Sequence, residues 1–309
     1  MSPSTSPEQT AYFSFSGFEK ELAAELQEKN LEIIAQHERL FVTKGPAVHP
    51  IWAQDTWLGV QLVKIESIGD AVKKLKAQGN LWACYSLNLH RRAQLIQDQL
   101  LKVPNRPLKF MQNIKPRHLG SWMLLSATEI IFSSHSLSPF PLGEFEFEED
   151  KKIPPSRAYL KLWELFTVHG VQPKAGQKVI ALGSSPGGWT WVLQQLGCSV
   201  ISVDKAPLDA RIGKLPGIQS LKKDAFKVTL EDTGPVDWLF SDIICYPRKL
   251  LAYLKPWIES PVNLACTLKF QGEIDPEIIK EFLEVPDSRI VHLQHNKHEV
   301  TWLRVHAKN

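Results

Sequence analysis

Cysteine is scarce in this sequence, with four in 309 residues. They are widely scattered and form no Cys-x-x-Cys pair, which argues against structural zinc and suits a reducing cytoplasm. No apolar run approaches the roughly 20 residues needed to cross a bilayer. The first ten residues, MSPSTSPEQT, lack the basic and apolar regions of a signal peptide and predict a frayed tail. We therefore expect a cytoplasmic protein.

The sequence also lacks a strong overall charge. Its formal net charge is +3, so any affinity for nucleic acid has to come from local basic patches. A hydrophobic content of 43% and a mean hydropathy of −0.17 are typical of a globular protein. The length allows one large domain or, more readily, two.

The stretch EFEFEED at 144–150 marks a change in the character of the chain. It carries five acids and is followed by two lysines and the pair Pro154-Pro155. This charge reversal with prolines predicts a junction between domains at 1–150 and 151–309. Before it, the pattern predicts helices at 17–30 and 68–78 and strands at 40–42 and 57–65. The N-terminal part is thus expected to be a small α+β domain.

A basic segment lies within this N-terminal part. Between residues 90 and 118, seven Lys or Arg residues accompany a single acid, Asp98. The segment is the best candidate for an RNA-contacting surface in this half, although a solvated helix face and loop would look the same. The basic residues are Arg91, Arg92, Lys102, Arg106, Lys109, Lys115 and Arg117.

The rest of the chain is organised around residues 178–204, KVIALGSSPGGWTWVLQQLGCSVISVD. An apolar run at 179–182 predicts a buried parallel strand, and a Gly-Ser-Ser-Pro-Gly-Gly turn separates it from a helix at 189–196. A second strand at 200–203 ends in Asp204, 21 residues after Gly183. In a doubly wound sheet, Asp204 would lie beside the turn and accept hydrogen bonds from a ribose diol. The unit predicts a nucleoside-cofactor site.

The turn lacks the middle glycine of a dinucleotide-binding Gly-x-Gly-x-x-Gly motif. Gly183 and Gly188 fit that frame, but Ser185 stands at the middle position, and Pro186 has no N–H for a phosphate. This disfavours an NAD-dependent oxidoreductase and favours S-adenosylmethionine, which has an adenosine and a small polar tail. A turn without any ligand remains an alternative.

Charged residues end several later strands. Asp224 follows the predicted third strand and could accept from the amine of adenine, or simply form a turn. Asp242 ends an apolar strand at 236–242, and Lys269 ends another at 263–269. A buried ammonium needs a partner, and Asp242 is the expected one for Lys269. Runs at 289–295 and 299–306 predict an antiparallel pair that places Glu299 at the same edge.

The second half resembles the FtsJ-like RNA 2′-O-ribose methyltransferases. The matching segments between residues 156 and 303 are SRAYLKLWE, LGSSPGGWT, SVDKAP, KKDAF, FSDI, LKFQGE and HEVTWL. The resemblance implies an α/β fold with a Rossmann-like class I sheet of order 3-2-1-4-5-7-6 that binds S-adenosylmethionine. It implies the catalytic tetrad Lys161, Asp242, Lys269 and Glu299, and the cofactor contacts Ser156, Gly183, Ser185, Pro186, Gly187, Gly188, Trp189, Asp204, Asp224 and Asp242.

Segments 17–26, 138–147 and 295–307 are similar to one bacterial member of the family. That member methylates a cytidine 2′-OH of large-subunit ribosomal RNA and carries a THUMP-like RNA-binding domain. The resemblance therefore implies ribosomal RNA as the partner and a THUMP-like N-terminal domain.

The residue types agree with this chemistry. A sugar hydroxyl is barely ionised at neutral pH, so methyl transfer to it needs a base, for which Lys269 is the candidate. An ion-pair cluster that only holds the sheet edge is the structural alternative. A non-catalytic RNA-binding or ribosome-assembly factor would not need the tetrad. Base methylation usually calls for an Asn/Asp-Pro-Pro-type motif or a catalytic cysteine, neither of which occurs at 241–244.

Overall fold

The computed structural model describes residues 9–306, which form two compact units. The first unit holds residues up to 109 and 113–147, and the second holds 110–112 and residues from 148 onward. The division lies between Phe147 and Glu148, beside the predicted junction near 150. The predicted frayed tail falls mostly outside the described residues, but Gln9 and Thr10 belong to the first strand.

The first unit contains nine strands and three α-helices among its described residues. The strands are β1 (Gln9–Ser14), β2 (Glu32–His37), β3 (Leu40–Lys44), β4 (Ala53–Leu58), β5 (Gln61–Lys64), β6 (Trp82–Cys84), β7 (Gly120–Ser126), β8 (Glu129–Ser133) and β9 (His135–Ser136). The helices are α1 (Glu19–Glu28), α2 (Ile68–Gln78) and α3 (His90–Gln97). One sheet has the order β2-β3-β1-β4-β9 and the other β5-β8-β7-β6.

The strand predicted at 57–65 is wrong as a single element. Trp57 and Leu58 end β4 and pair with β9, whereas Gln61–Lys64 form β5 and pair with β8 of the other sheet. Gly59 between them has a φ of +61°, a conformation that glycine adopts readily. The alternation of apolar and polar residues thus continues from β4 into β5, although the two strands belong to different sheets.

A buried carboxylate ties β4 to the segment after β9. Asp55 is 3% exposed. It accepts hydrogen bonds from the hydroxyl of Ser136, the indole of Trp57 at 3.1 Å, and the backbone N–H groups of Thr56 at 2.8 Å and Ser138 at 3.1 Å. Each of these donors would be left without its acceptor if the carboxylate were removed.

The second unit contains seven strands and six α-helices in its described part. The strands are β10 (Lys178–Leu182), β11 (Ser199–Asp204), β12 (Ile218–Lys222), β13 (Trp238–Ser241), β14 (Asn263–Lys269), β15 (Ser288–Val291) and β16 (Glu299–Arg304). The helices are α4 (Tyr159–Thr167), α5 (Gly188–Gln195), α6 (Ala210–Gly213), α7 (Leu230–Thr233), α8 (Pro247–Ile258) and α9 (Pro276–Leu283).

All seven strands form one sheet of order β12-β11-β10-β13-β14-β16-β15. Numbered within the unit, this is 3-2-1-4-5-7-6, the order that the resemblance implies. Strands β10 to β14 run parallel, and β16 is antiparallel to both of its neighbours. Since the carboxyl ends of parallel strands meet at one edge, the residues that follow β10, β11 and β13 come together there.

Two local predictions for this unit need correction. The pattern at 156–164 predicts a helix capped by Ser156, but α4 begins at Tyr159, and the residue before it, Ala158, makes no side-chain cap bond. Strand β15 ends at Val291 rather than 295, so the connection to β16 is the seven-residue loop 292–298. The antiparallel pairing of β15 and β16 agrees with the prediction.

Within residues 9–306, no helix is both long and apolar enough to cross a bilayer. The four cysteines are free thiols.

Replacing Asp55 with alanine should destabilise the first unit by about 3 kcal/mol or more, because several buried donors lose their acceptor at once. Urea unfolding followed by circular dichroism measures this. The matched control is the exposed Asp98, whose replacement by alanine should change stability by no more than about 0.5 kcal/mol. Equal unfolding midpoints for the two variants would contradict the role given to Asp55.

Candidate active site

The turn after β10 passes very close to the end of β13. Gly183 has a φ of +70°, and a Cβ there would lie 3.0 Å from the backbone N and Cα of Ile243. Its N–H donates to the carbonyl of Val203 at 3.0 Å. Only glycine fits this position, because a side chain would collide with backbone that cannot move aside. The turn is therefore fixed between β11 and β13.

The next two glycines allow other parts of the second unit to approach. A Cβ on Gly187 would lie 3.0 Å from Cγ2 of Ile212, and one on Gly188 would lie 3.0 Å from Oγ of Ser156. Gly187 precedes α5 and has a φ of +118°. These glycines serve the packing of α5 against neighbouring segments.

The indole of Trp189 has a structural role. It is 6% exposed and donates to the carbonyl of Ala158 at 3.0 Å, so it anchors α5 to the start of α4. The predicted contact of Trp189 with a cofactor stays a prediction.

A cavity of about 480 Å³ lies at the carboxyl edge of the sheet. Its volume is within the range of small-molecule sites. The residues lining it are Gly183, Ser185, Asp204, Lys205, Asp224, Ala225, Phe226, Asp242, Ile243, Ile244, Lys249 and Lys269. Half of the predicted cofactor contacts, including the shared Asp242, thus border the cavity. The predicted contacts outside this lining are Ser156, Pro186, Gly187, Gly188 and Trp189.

Asp204 holds the turn in shape. Its Oδ2 accepts from the N–H of Ser185 at 2.9 Å, and its Oδ1 accepts from the N–H of Ala206 at 2.9 Å. Each carboxylate oxygen has a second lone pair that a hydroxyl donor can use. Asp204 can therefore hold the turn in shape and, at the same time, accept a hydrogen bond from a ligand.

The neighbouring acid, Asp224, is paired with a cation. The ammonium of Lys205 lies 2.9 Å from its Oδ2, and the N–H of Phe226 donates to its Oδ1 at 3.1 Å. The hydrogen bond from Lys205, followed by that from Phe226, lowers the pKa of Asp224. Asp224 is thus a carboxylate near neutral pH, which makes it an acceptor for an amine.

Sequence reasoning did not identify Lys249 and Phe226 as residues that line the cavity. The ammonium of Lys249 lies 4.2 Å from the centre of the Phe226 ring. Both residues line the cavity with Lys205. The signal for Phe226 was present, since it follows Asp224 by two residues, but nothing local indicates that α8 brings Lys249 to it.

Four charged side chains from distant parts of the chain meet beside the cavity. Lys161 Nζ lies 3.4 Å from Oδ1 of Asp242 and pairs with the carboxylate of Glu299. Lys269 Nζ lies 2.9 Å from the same Oδ1 and 2.7 Å from the backbone carbonyl oxygen of Asp242. The side chains are 12–19% exposed. The predicted pairing of Lys269 with Asp242 is present.

The fold explains how these four residues meet. Lys161 is in the first turn of α4, and Asp242 directly follows β13. Lys269 is the last residue of β14 and lies opposite Glu299, the first residue of β16, in the antiparallel register. The cluster thus depends on strand register and on the position of α4.

Comparison with known protein families relates this unit to one family. Residues 154–279 match the family model of the FtsJ-like methyltransferases. This span contains three of the four clustered residues and all the residues that line the cavity. Residues 154–279 are therefore similar to an FtsJ-like methyltransferase domain. S-adenosylmethionine is the cofactor of this family.

Curated proteins with similar sequences are named as ribosomal RNA methyltransferases. The ribosomal RNA large subunit methyltransferase M (RlmM) of Thauera aminoaromatica is 32% identical over 165 residues, which cover 48% of this chain and 45% of that protein. The enzyme of the same name from Laribacter hongkongensis is 31% identical over 183 residues, covering 53% and 51%. The chain thus spans about half the length of the curated relatives it matches.

Solved structures show weaker likeness. A putative hemolysin from Lactococcus lactis has a TM-score of 0.41 at 19% identity, covering 50% of this chain and 90% of that one. A putative ribosomal RNA methyltransferase from Plasmodium falciparum has a TM-score of 0.37 at 15% identity, covering 48% and 96%. These values are too low to bear on the assignment.

The second unit also contains a buried acid that sequence reasoning missed. Glu164 lies one helical turn after Lys161 and is 2% exposed. It accepts from the backbone N–H groups of Gln294 at 2.6 Å and His295 at 3.1 Å, and its Oε2 lies 2.7 Å from Nδ1 of His295. The loop 292–298 leads directly into Glu299. A second contact therefore joins α4 to the segment that carries Glu299, and the only sequence signal is an acid inside the apolar run LWELF.

The same loop begins with a buried histidine. His292 is 6% exposed, and burial lowers its pKa to about 4. Its Nε2 lies 3.4 Å from the carbonyl oxygen of Lys297. The folded domain therefore favours a neutral imidazole at the base of this loop.

The predicted basic segment lies in the first unit. Its residues are distributed over α3, which carries Arg91 and Arg92, and the irregular chain that follows it. All are exposed except Arg92, which is partly buried. Arg117 lines a cavity of about 560 Å³ together with His118 and His135. The segment is thus accessible, and its predicted contact with RNA stays a prediction.

Acidification should destabilise the second unit through His292. Because the folded pKa is lowered below the unfolded value, the unfolded chain binds more protons between about pH 6.5 and 4, and stability is lost as the pH falls through this range. Between pH 7.5 and 5, the free energy of unfolding of the His292→Gln variant should therefore fall by about 2 kcal/mol less than that of the unmodified protein.

Urea unfolding at the two pH values measures this difference. The matched control is His118→Gln, since His118 is exposed and lies in the other unit. The free energy of unfolding of this control should fall on acidification by as much as that of the unmodified protein. If the free energy of unfolding of the His292 variant fell by the same amount as well, His292 would not titrate as described.

Proposed function

We propose that this protein transfers a methyl group from S-adenosylmethionine to a ribose 2′-hydroxyl of RNA, with a cytidine of large-subunit ribosomal RNA as the target, in the cytoplasm. The observation that carries the proposal is the cluster of Lys161, Asp242, Lys269 and Glu299 beside the cavity. Two cations and two anions at the edge of a binding cavity are a common feature of catalytic sites.

The cavity suits S-adenosylmethionine in size and in its polar groups. Asp204 would accept from the ribose hydroxyls, and Asp224 from the exocyclic amine of adenine. Gly183, Ser185 and Asp242 would face the methionine part, and the Ser156, Pro186, Gly187 and Gly188 segments would keep the turn in place. When bound, the cofactor supplies a methyl group activated by a sulfonium.

The four charged residues would prepare the ribose hydroxyl for reaction. Lys269 in its neutral form would take the hydroxyl proton as the oxygen forms its bond to the methyl carbon and the carbon–sulfur bond breaks. Asp242 would orient Lys269, since both its backbone carbonyl and its carboxylate contact that amine. Lys161 and Glu299 would hold Asp242 from the other side. General-base assistance typically contributes about 10²- to 10⁴-fold to the rate.

The first unit would bind the RNA. The exposed basic residues 91–117 supply the positive charge that attracts a phosphate backbone. The similarity to RlmM supports a ribosomal RNA substrate. A THUMP-like role for residues 1–150 is proposed from the resemblance of segments 17–26 and 138–147 alone. The methyltransferase domain would then act on the nucleotide that this unit positions.

Lys269→Ala should reduce methyl transfer by at least about 100-fold, because it removes the proposed base. The assay uses labelled S-adenosylmethionine and unmodified large-subunit ribosomal RNA, and ribose methylation is mapped by resistance to alkaline cleavage. The matched control is Lys255→Ala, since Lys255 is exposed on α8. Label on a base, or equal transfer by the Lys269 variant, would overturn the mechanism. RNA binding without any transfer by the unmodified protein would favour an assembly factor.

Asp204→Ala should weaken binding of S-adenosylmethionine by about tenfold or more, since the ribose loses an ionised acceptor and the turn loses its bond to Ser185. Isothermal titration calorimetry measures the affinity. The control is Asp237→Ala, because Asp237 precedes β13 at the opposite edge of the sheet. If both variants bind the cofactor equally well, Asp204 does not contact it.

A further inference from the structure

The loop between β13 and α8 exposes two large apolar side chains beside the cluster. Ile244 is 79% exposed and Tyr246 is 61% exposed. The residues around them, Ile243, Cys245 and Pro247, are buried. The loop therefore alternates between side chains that anchor it and side chains that face away from the protein.

Tyr246 differs from the other aromatic residues of this protein. Among all Trp, Tyr and Phe side chains in residues 9–306, it is the one that is exposed. Within those residues, its phenol makes no side-chain hydrogen bond and its ring packs on no other ring. Scattered aliphatic side chains on a surface are normal, but an exposed aromatic ring four residues after Asp242, which lines the cavity, calls for an explanation.

The position of this pair relates it to the proposed reaction. Ile244 lines the same cavity as Asp242 and Lys269. Tyr246 follows Asp242 by four residues, a length of chain that spans at most about 14 Å. A tyrosine side chain and a nucleobase together can bridge such a distance. A ribose placed at Lys269 would therefore bring its base within reach of this loop.

Base recognition in single-stranded RNA relies on such rings. An unstacked base packs on aromatic side chains, and the contact tolerates any base because every base has a π-face. A nucleotide that leaves its stack as its ribose approaches the partly exposed cluster uncovers its base, and an uncovered base packs on an apolar partner.

We infer that Tyr246, supported by Ile244, forms a stacking platform for the base of the nucleotide whose ribose is methylated. This inference rests on the proposed function and adds the residue that holds the target base. Tyr246 is a substrate-binding residue in this account, and it takes no part in proton transfer.

The test compares Tyr246→Ala, Tyr246→Phe and Leu283→Ala, the last being an exposed apolar residue on α9 as a control. The first readout is equilibrium binding of a fluorescent oligocytidylate. Tyr246→Ala should bind about 5- to 100-fold more weakly, whereas the other two should match the unmodified protein. The second readout is methyl transfer to ribosomal RNA, in which kcat/KM for RNA should fall by a similar factor and the affinity for S-adenosylmethionine should not change.

The two readouts separate this inference from the proposed function. If the unmodified protein transfers no methyl group while the alanine variant still binds the oligonucleotide more weakly, the proposed function fails, and Tyr246 is a base-stacking residue of an RNA-binding site without methylation. If transfer occurs but the alanine variant equals the unmodified protein in both readouts, the platform is wrong. The inference would also be overturned if neither the unmodified protein nor any variant bound the oligonucleotide. Weaker oligonucleotide binding by Tyr246→Phe would overturn it too, because phenylalanine keeps the ring.

Discussion

The arrangement of the second unit depends on the carboxylate of Asp242. One of its oxygens lies within 3.4 Å of two ammonium groups, those of Lys161 and Lys269. Two cations this close repel each other unless an anion lies between them, and Glu299 pairs with Lys161 as a second anion. The pairing requires the starts of α4 and β16 and the ends of β13 and β14 to meet at one place, so it constrains the whole sheet edge.

The same edge also forms the cavity. Gly183 allows the turn after β10 to pass within contact distance of the chain after β13, and Asp204 holds this turn through Ser185. The cavity and the charged cluster share Asp242 and Lys269. A ligand in the cavity therefore lies next to the groups that would act on it, and the loop that carries Tyr246 begins at the same residue.

Much of this organisation could be predicted from the sequence. The apolar runs of β10, β11, β13 and β14, the glycine turn and the acids that follow the strands are local patterns, and they were placed within a few residues. The partnership of Asp242 and Lys269 followed from the cost of burying an unpaired ammonium. Errors occurred where an element is defined by its neighbours. The run at 57–65 divides between two sheets at Gly59.

The sequence by itself determined the strand–turn–helix–strand unit, the cofactor class it favours and the residue types available for catalysis, because these depend on spacing along a short stretch of chain. Only the tertiary structure decided that Glu164 is a buried acceptor for the loop before Glu299, that Lys249 packs on Phe226, and that Tyr246 is exposed. The physical reason is that burial and pairing are properties of side chains brought together from distant positions. A single stretch of sequence carries no record of the partner that folding will place beside it.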